Sequence, residues 1–201
     1  MKTLYLASAS PRRSEILTRM QLPHTVYTAP ADETLGEGIT MENAGEILAA
    51  RKALAAKQAL LAEGKFDEDT MILAADTLVY LDGKPLGKPK DAADAKRMLM
   101  LLSGKTHYVC TGTCLISGSR SISSAEVSAV VMRAFSEEEA AAYVATGEPL
   151  DKAGAYGIQG IGSVLIDRIE GDFFSIMGLS PKTVSRLLGV LGANYFEMIK
   201  S

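Results

Sequence analysis

Short apolar runs rich in β-branched residues alternate along the chain with longer stretches whose apolar positions recur every three to four residues, the pattern of an α/β layer structure. Strands are expected at 3–7, 24–29, 70–75 and 77–81, then as two long runs at 106–117 and 121–134, and last at 163–169. Asp82-Gly83 is a tight-turn signal, so the run before it should end in a hairpin, and Gly118-Ser119 should join the two long runs into an antiparallel ribbon. Helices are expected at 11–21, 42–63, 92–102, 137–145 and 181–191. The second is the longest, about 33 Å at the standard rise, with an apolar stripe of Ala44, Ile47, Leu48, Leu54, Ala55 and Leu61. Ser136 ahead of Glu137-Glu138-Glu139 makes a capping box whose acids suit the positive end of the helix dipole. No repeat, low-complexity linker or shift in composition marks a boundary, and a single domain over residues 1–201 is expected.

The break between the first strand and first helix carries the most chemistry. Tyr5-Leu6-Ala7 gives way to Ser8-Ala9-Ser10-Pro11-Arg12-Arg13, with Ser10 placed as an N-cap and Pro11 in the first turn. Backbone N–H groups and two guanidinium groups would then converge where a buried strand ends, an arrangement that attracts phosphate. An ordinary capped helix with exposed arginines fits the same residues.

Composition narrows the function classes. Of 201 residues, 47% are hydrophobic and 22% charged, as in a folded domain. The formal net charge of −3 gives no general attraction to duplex nucleic acid or an anionic membrane, so a polyanion would need a local cluster. No apolar run is long enough to span a bilayer, and the first residues enter a strand instead of a leader, so a cytoplasmic protein is expected. Cys110 and Cys114 fall on one face of a strand, about 13 Å apart, too far for a disulfide. Neither His24 nor His107 has a zinc-ligand spacing to them, so both are expected as buried thiols.

No P-loop, dinucleotide fingerprint or nucleophile elbow is present, and two histidines leave little room for imidazole chemistry. Carboxylates, with a metal, would have to carry any reaction. Asp76 follows the apolar run Met71-Ile72-Leu73-Ala74-Ala75, and a carboxylate at the end of a buried strand must be hydrogen-bonded, metal-bound or catalytic, or else cap a turn. Glu33, beside Asp32 in a loop, is an ordinary solvated acid taken alone; paired with another carboxylate it could hold a divalent ion. Lys88 stands on a loop stiffened by Pro89 and could neutralise phosphate, although a surface lysine fits as well. Lys52 lies at the edge of the long helix's apolar stripe with Arg51 nearer its centre, so the pattern does not choose between them. The run 154–162 is too glycine-rich for a regular element. It reads either as a connector or as a loop pressed on a ligand, with the Gln159 amide offering donor and acceptor to a base edge.

Taken together, Leu6-Ala7-Ser8-Ala9-Ser10-Pro11-Arg12-Arg13, Asp32-Glu33, Lys52-Ala53, Ala75-Asp76-Thr77, Gly87-Lys88-Pro89, Ser103-Gly104 and the run 151–160 strongly resemble the Maf family of nucleotide pyrophosphatases, in family order and over nearly the whole chain. The resemblance implies an α/β fold, an elongated mixed sheet flanked by helices like that of the inosine triphosphatases, with the site in a cleft between two lobes. It implies hydrolysis of a nucleoside triphosphate between its α and β phosphates with a divalent cation, magnesium or manganese, as cofactor. Carried across by position, Ser8, Ser10 and Arg13 resemble phosphate contacts, and Asp76 resembles the proton acceptor. Glu33 resembles a metal ligand, with Asp76 as its partner on the ion, and Lys52 and Lys88 resemble basic cleft residues. Arg12, Thr77 and Gln159 match the positions that mark the subgroup acting on dTTP and UTP. Two positions depart from the pattern: Ala75 stands where glycine is usual, and Gly178-Leu179-Ser180-Pro181 replaces Gly-Leu-Pro. The nucleoside triphosphate is the expected partner, with homodimers typical of the resemblance and no nucleic acid or membrane. A nucleotide-sensing regulator of septum formation is the competing reading, disfavoured by the presence of both Glu33 and Asp76.

Overall fold

The computed structural model describes residues 2–36 and 38–200. Its strands are β1 (Thr3–Leu6), β2 (Thr25–Val26), β3 (Thr70–Leu81), β4 (Lys84–Leu86), β5 (Thr106–Ser117), β6 (Arg120–Met132) and β7 (Ile166–Glu170). They hydrogen-bond in the order β2-β1-β3-β5-β6-β7, with β4 on β3. The sheet is mixed: β1 runs parallel to both β2 and β3, whereas β3–β4 and β6–β7 are antiparallel. The helices are α1 (Pro11–Arg19), α2 (Met41–Ala62), α3 (Ala92–Leu102), α4 (Glu137–Ala145), α5 (Phe173–Met177), α6 (Pro181–Val190) and α7 (Tyr195–Met198). Among the described residues no helix is long and apolar enough to cross a membrane.

The chain divides into two units. The first comprises residues 1–76, 111–126 and 178–201. Here β1, α1, β2, α2 and the first half of β3 form successive parallel crossovers, with helices as the connections that parallel strands require. Its core sets Ala49, Ala53, Ala56 and Leu60 of α2 against Ala7, Ile72, Ala74, Cys114 and Ile116. The small residues are a geometric necessity. Gly112 of β5 lies so close to Gly45 of α2 that a β-carbon on it would overlap the Gly45 carbonyl and come within 2.6 Å of the Glu46 nitrogen. That close approach shifts the expected apolar stripe of α2: Ala44 and Leu48 are buried as expected, joined by Ala49, Ala53, Ala56 and Leu60, while Leu54 and Leu61 are half exposed.

The second unit comprises residues 77–110 and 127–177. Leu99 and Leu102 of α3 and Ala140 and Tyr143 of α4 pack with Val109, Val130, Met132, Tyr156 and Leu165. The capping box forms as read, Ser136 accepting from the Glu139 N–H and the Glu139 carboxylate accepting from the Ser136 N–H. The hairpin forms at Asp82-Gly83, both at positive φ.

Several elements differ from expectation. The runs 70–75 and 77–81 are one strand, because β1 pairs Thr3 to Leu6 with Thr70 to Leu73 and β4 pairs Val79 to Leu81, and these ladders carry the chain through Asp76 despite the low strand preference of aspartate. Strand β2 is only Thr25–Val26, since β1 ends at Leu6 and the ladder runs out. Residues 161–165 form a 3₁₀ turn ahead of β7, and α5 and α7 lie where no helix was expected. Cys110 and Cys114 are both buried, as expected.

Candidate active site

In an open parallel sheet, ligands bind at the carboxyl ends of the strands, where successive connections depart to opposite sides. Strand β1 occupies that position, with β2 on one side and β3 on the other. Beyond Leu6 the chain turns through the buried Ser8, whose hydroxyl accepts from the Ser10 N–H (3.2 Å) and from Arg13 Nη1 (2.9 Å). Arg13 Nε donates to the Gly178 carbonyl at 2.9 Å, so the guanidinium is held at two points. Ser10 stands at the N-cap position with Pro11 first in the helix, as expected, but its side chain accepts no bond from the first turn. Enclosure by protein lowers the Arg13 pKa to about 10; Asp76 opposes this shift, Arg12 adds to it and Glu33 opposes it. The charges of Asp76, Arg12 and Glu33 are therefore all felt at Arg13.

Asp76 is not at the end of its own strand, nor does it cap a turn. Leu73 lies opposite Leu6 in register, so Asp76 stands three residues, about 10 Å, past the end of β1. It thus borders the carboxyl end of the neighbouring strand, largely buried at 8% exposure. From α2, Lys52 Nζ donates to Asp76 Oδ1 and lies 2.8 Å from Glu33 Oε1. Arg51, one residue away, does something different. Its Nη1 donates to the carbonyls of Asp32 (3.2 Å) and Thr34 (2.5 Å), clamping the loop that carries Glu33. Helical phase could not separate these two residues; their acceptors do. Ser8, Arg13, Glu33, Lys52 and Asp76 are brought together in this unit, with Arg12 within electrostatic reach.

Thr77, Lys88 and Gln159 belong to the second unit. Thr77 follows Asp76 in β3, Lys88 is exposed after β4, and Gln159 is exposed within the glycine-rich run. The two loops share an anchor: the Gly154 N–H donates to the Gly87 carbonyl at 3.1 Å, and Gly154, at φ +72°, packs on Val79. The glycine-rich run is not a loose connector. Glu148, which no local pattern marks, accepts through Oε1 from Tyr143 Oη (2.8 Å) and the Gly162 N–H (3.0 Å), and through Oε2 from the Ile161 N–H (2.8 Å). Tyr143 Oη also accepts from the Gly157 N–H at 3.0 Å. Burial pushes the Glu148 carboxyl up, but the donors at Gly162, Tyr143 and Ile161, with Lys152 nearby, outweigh it and hold its pKa below the usual value.

The histidines are structural. His24 sits between Ser14 Oγ (2.8 Å) and the Leu22 carbonyl (3.0 Å), while buried His107 bonds Tyr156 Oη through Nε2 (2.7 Å). Among the described residues no group of three or more His, Cys, Asp or Glu side chains is placed to hold a metal. Two carboxylates nevertheless converge on one cation, the Lys52 ammonium. This pair of hard oxygen donors suits magnesium, which takes one or two carboxylates and completes its shell with water and substrate phosphate.

A "dTTP/UTP pyrophosphatase" of Bacillus cytotoxicus is 44% identical over 89% of this chain and 90% of its own. One of Moorella thermoacetica is 44% identical over 99% and 100%, and one of Desulfitobacterium hafniense is 45% identical over 95% and 86%. Among solved structures, the Ham1 protein of Staphylococcus aureus is similar with a TM-score of 0.49 and 15% identity, over 98% of this chain and 94% of that one. The family model of the Maf-like proteins matches residues 3–191, including every residue of the charged cluster around β1, and the chain belongs to that family.

Proposed function

We propose that the protein hydrolyses dTTP and UTP between the α and β phosphates, releasing the nucleoside monophosphate and pyrophosphate. The observation that carries this reading is the Lys52 ammonium held between Glu33 and Asp76, in the same unit as the Ser8–Arg13 pair. A phosphoanhydride is cleaved by positioning and charge stabilisation, and that set offers cations for the phosphate oxygens beside carboxylates for water. Arg13, with Ser8, Ser10 and Arg12, grips the triphosphate, and Lys52 and Lys88 neutralise the charge that builds on the leaving group. Glu33 and Asp76 would hold a magnesium or manganese ion, which when bound supplies further charge neutralisation at the phosphates. The Asp76 carboxylate orients a water and takes its proton as the water oxygen bonds to phosphorus; the α–β bridging bond breaks and its electrons leave on pyrophosphate. Thr77 and Gln159 read the base. Uracil and thymine present a carbonyl acceptor beside an N–H donor, which the two ends of a carboxamide complement.

A panel of canonical and methylated nucleoside triphosphates, incubated with magnesium or manganese and scored for pyrophosphate against orthophosphate, tests this. Pyrophosphate from dTTP and UTP is the expected result. Stepwise release of orthophosphate, or no consumption with either ion, would sink the reading.

A further inference from the structure

Glu148 directs its carboxylate to one loop and to the phenol that fastens the same loop. Its three acceptor bonds go to Tyr143 Oη and to the N–H groups of Ile161 and Gly162, while Tyr143 Oη takes the Gly157 N–H. The loop is cleared of side chains wherever the two acceptors approach. A β-carbon on Gly160 would overlap the Glu148 carboxylate, one on Gly157 would stand 2.9 Å from Glu148 Oε1, and one on Gly162 would overlap the Tyr143 hydroxyl. Three of the four glycines between residues 154 and 162 are therefore explained by one carboxylate and one phenol, and the fourth by Val79. The exposed residue left between the fastened points is Gln159, flanked by the bonds at Gly157 and Ile161. A carboxylate that accepts three hydrogen bonds from groups around one short loop fixes that loop's path.

We infer that Glu148 and Tyr143 are positioning residues for base selection, holding the 157–162 loop so that Gln159 meets the nucleobase in one place. This rests on the reading of Gln159 given above. The mechanism is indirect, since neither residue touches substrate. A site that hydrogen-bonds a base edge discriminates strongly only while its polar groups are held in register with that edge.

The experiment measures kcat and KM for UTP and CTP, which differ in the donor and acceptor order of the base edge and share the triphosphate. In Glu148→Gln one acceptor is replaced by an N–H₂ group facing backbone N–H groups. The UTP:CTP ratio of kcat/KM should fall about tenfold, through the KM for UTP with kcat within about twofold. Amide exchange at Gly157, Ile161 and Gly162 should speed up. Tyr143→Phe, which keeps the ring in the core, should act in the same direction by a smaller factor and serves if the first variant does not fold. In a Gln159→Ala background, Glu148→Gln should leave the ratio where Gln159→Ala put it. An equal loss on both nucleotides through kcat, or faster exchange with an unchanged ratio, overturns the inference while leaving the role of Gln159 standing. An unchanged ratio in Gln159→Ala alone removes the reading of Gln159 and the inference with it.

Discussion

The two units solve the problem of holding a polar loop in opposite ways. Around the end of β1, long cationic side chains reach out to their acceptors: Lys52 spans the Glu33 and Asp76 carboxylates, Arg13 reaches the Ser8 hydroxyl and the Gly178 carbonyl, and Arg51 clamps the neighbouring loop by its carbonyls. Around Glu148, one carboxylate gathers backbone N–H groups, and glycines make the room. Long charged side chains can be rearranged when a polyanion arrives, because each partner is replaceable by another charge. A ring of main-chain donors cannot be exchanged without moving the loop. Charge handling and shape reading thus place different demands on the chain. The first needs mobile ions on rigid supports, and the second needs a rigid loop that presents one side chain.

Removing the proton acceptor breaks the first arrangement most sharply. Asp76→Asn should lower kcat for pyrophosphate release by about 10³-fold, the range expected for loss of a general base, with an unchanged circular dichroism spectrum. Near-normal turnover would place the chemistry elsewhere. Next in size is the support beneath that arrangement. Gly112→Ala drives a methyl group into the Gly45 carbonyl of α2, the helix that carries Lys52, and should cost about 3 kcal/mol of unfolding free energy in urea titration. Unchanged stability would show that α2 can retreat from β5 freely, contrary to the rigid support supposed here.

The smallest effect sharpens the second arrangement. His107 is fully buried with Nδ1 lacking a hydrogen-bond partner, and it holds Tyr156, which opens the glycine-rich loop, edge to face at 5.2 Å between ring centroids. Burial lowers its pKa from 6.5 to about 4. Between those values the unfolded chain binds the proton that the folded one refuses. The stability tied to neutral His107 is therefore complete above pH 6.5 and lost as pH falls towards 4, a slope worth of order 2 kcal/mol. Urea unfolding over this range should show the decline in the parent and a flatter curve in His107→Gln; identical slopes would assign the acid sensitivity to carboxylates instead.

What the sequence made legible was local. The alternation of strands and helices, the turn at Asp82-Gly83, the box at Ser136 and Glu139, and proline at the start of α1 each depend on a few neighbouring residues. The misreadings lie where distant segments decide. Strand β3 runs through Asp76 because β1 and β4 hold its two halves, and α2 buries alanines because Gly112 brings β5 so near. The charged cluster was readable as residue types, and Asp76, Lys52 and Glu33 do meet. Glu148 was hidden, since its partners lie 13 and 14 residues on at Ile161 and Gly162; only the unexplained excess of glycine hinted that something must fit among them.

Lys52 lends its positive charge to Glu33 and Asp76, so these two carboxylates do not stand as a bare pair of repelling acids. On the proposed reading, Glu33 and Asp76 would hold a divalent ion that would supply further charge neutralisation at the phosphates, and Lys52 would then direct its ammonium to the phosphate tail. The lysine that balances the two acids is thus the same lysine proposed to balance the leaving group.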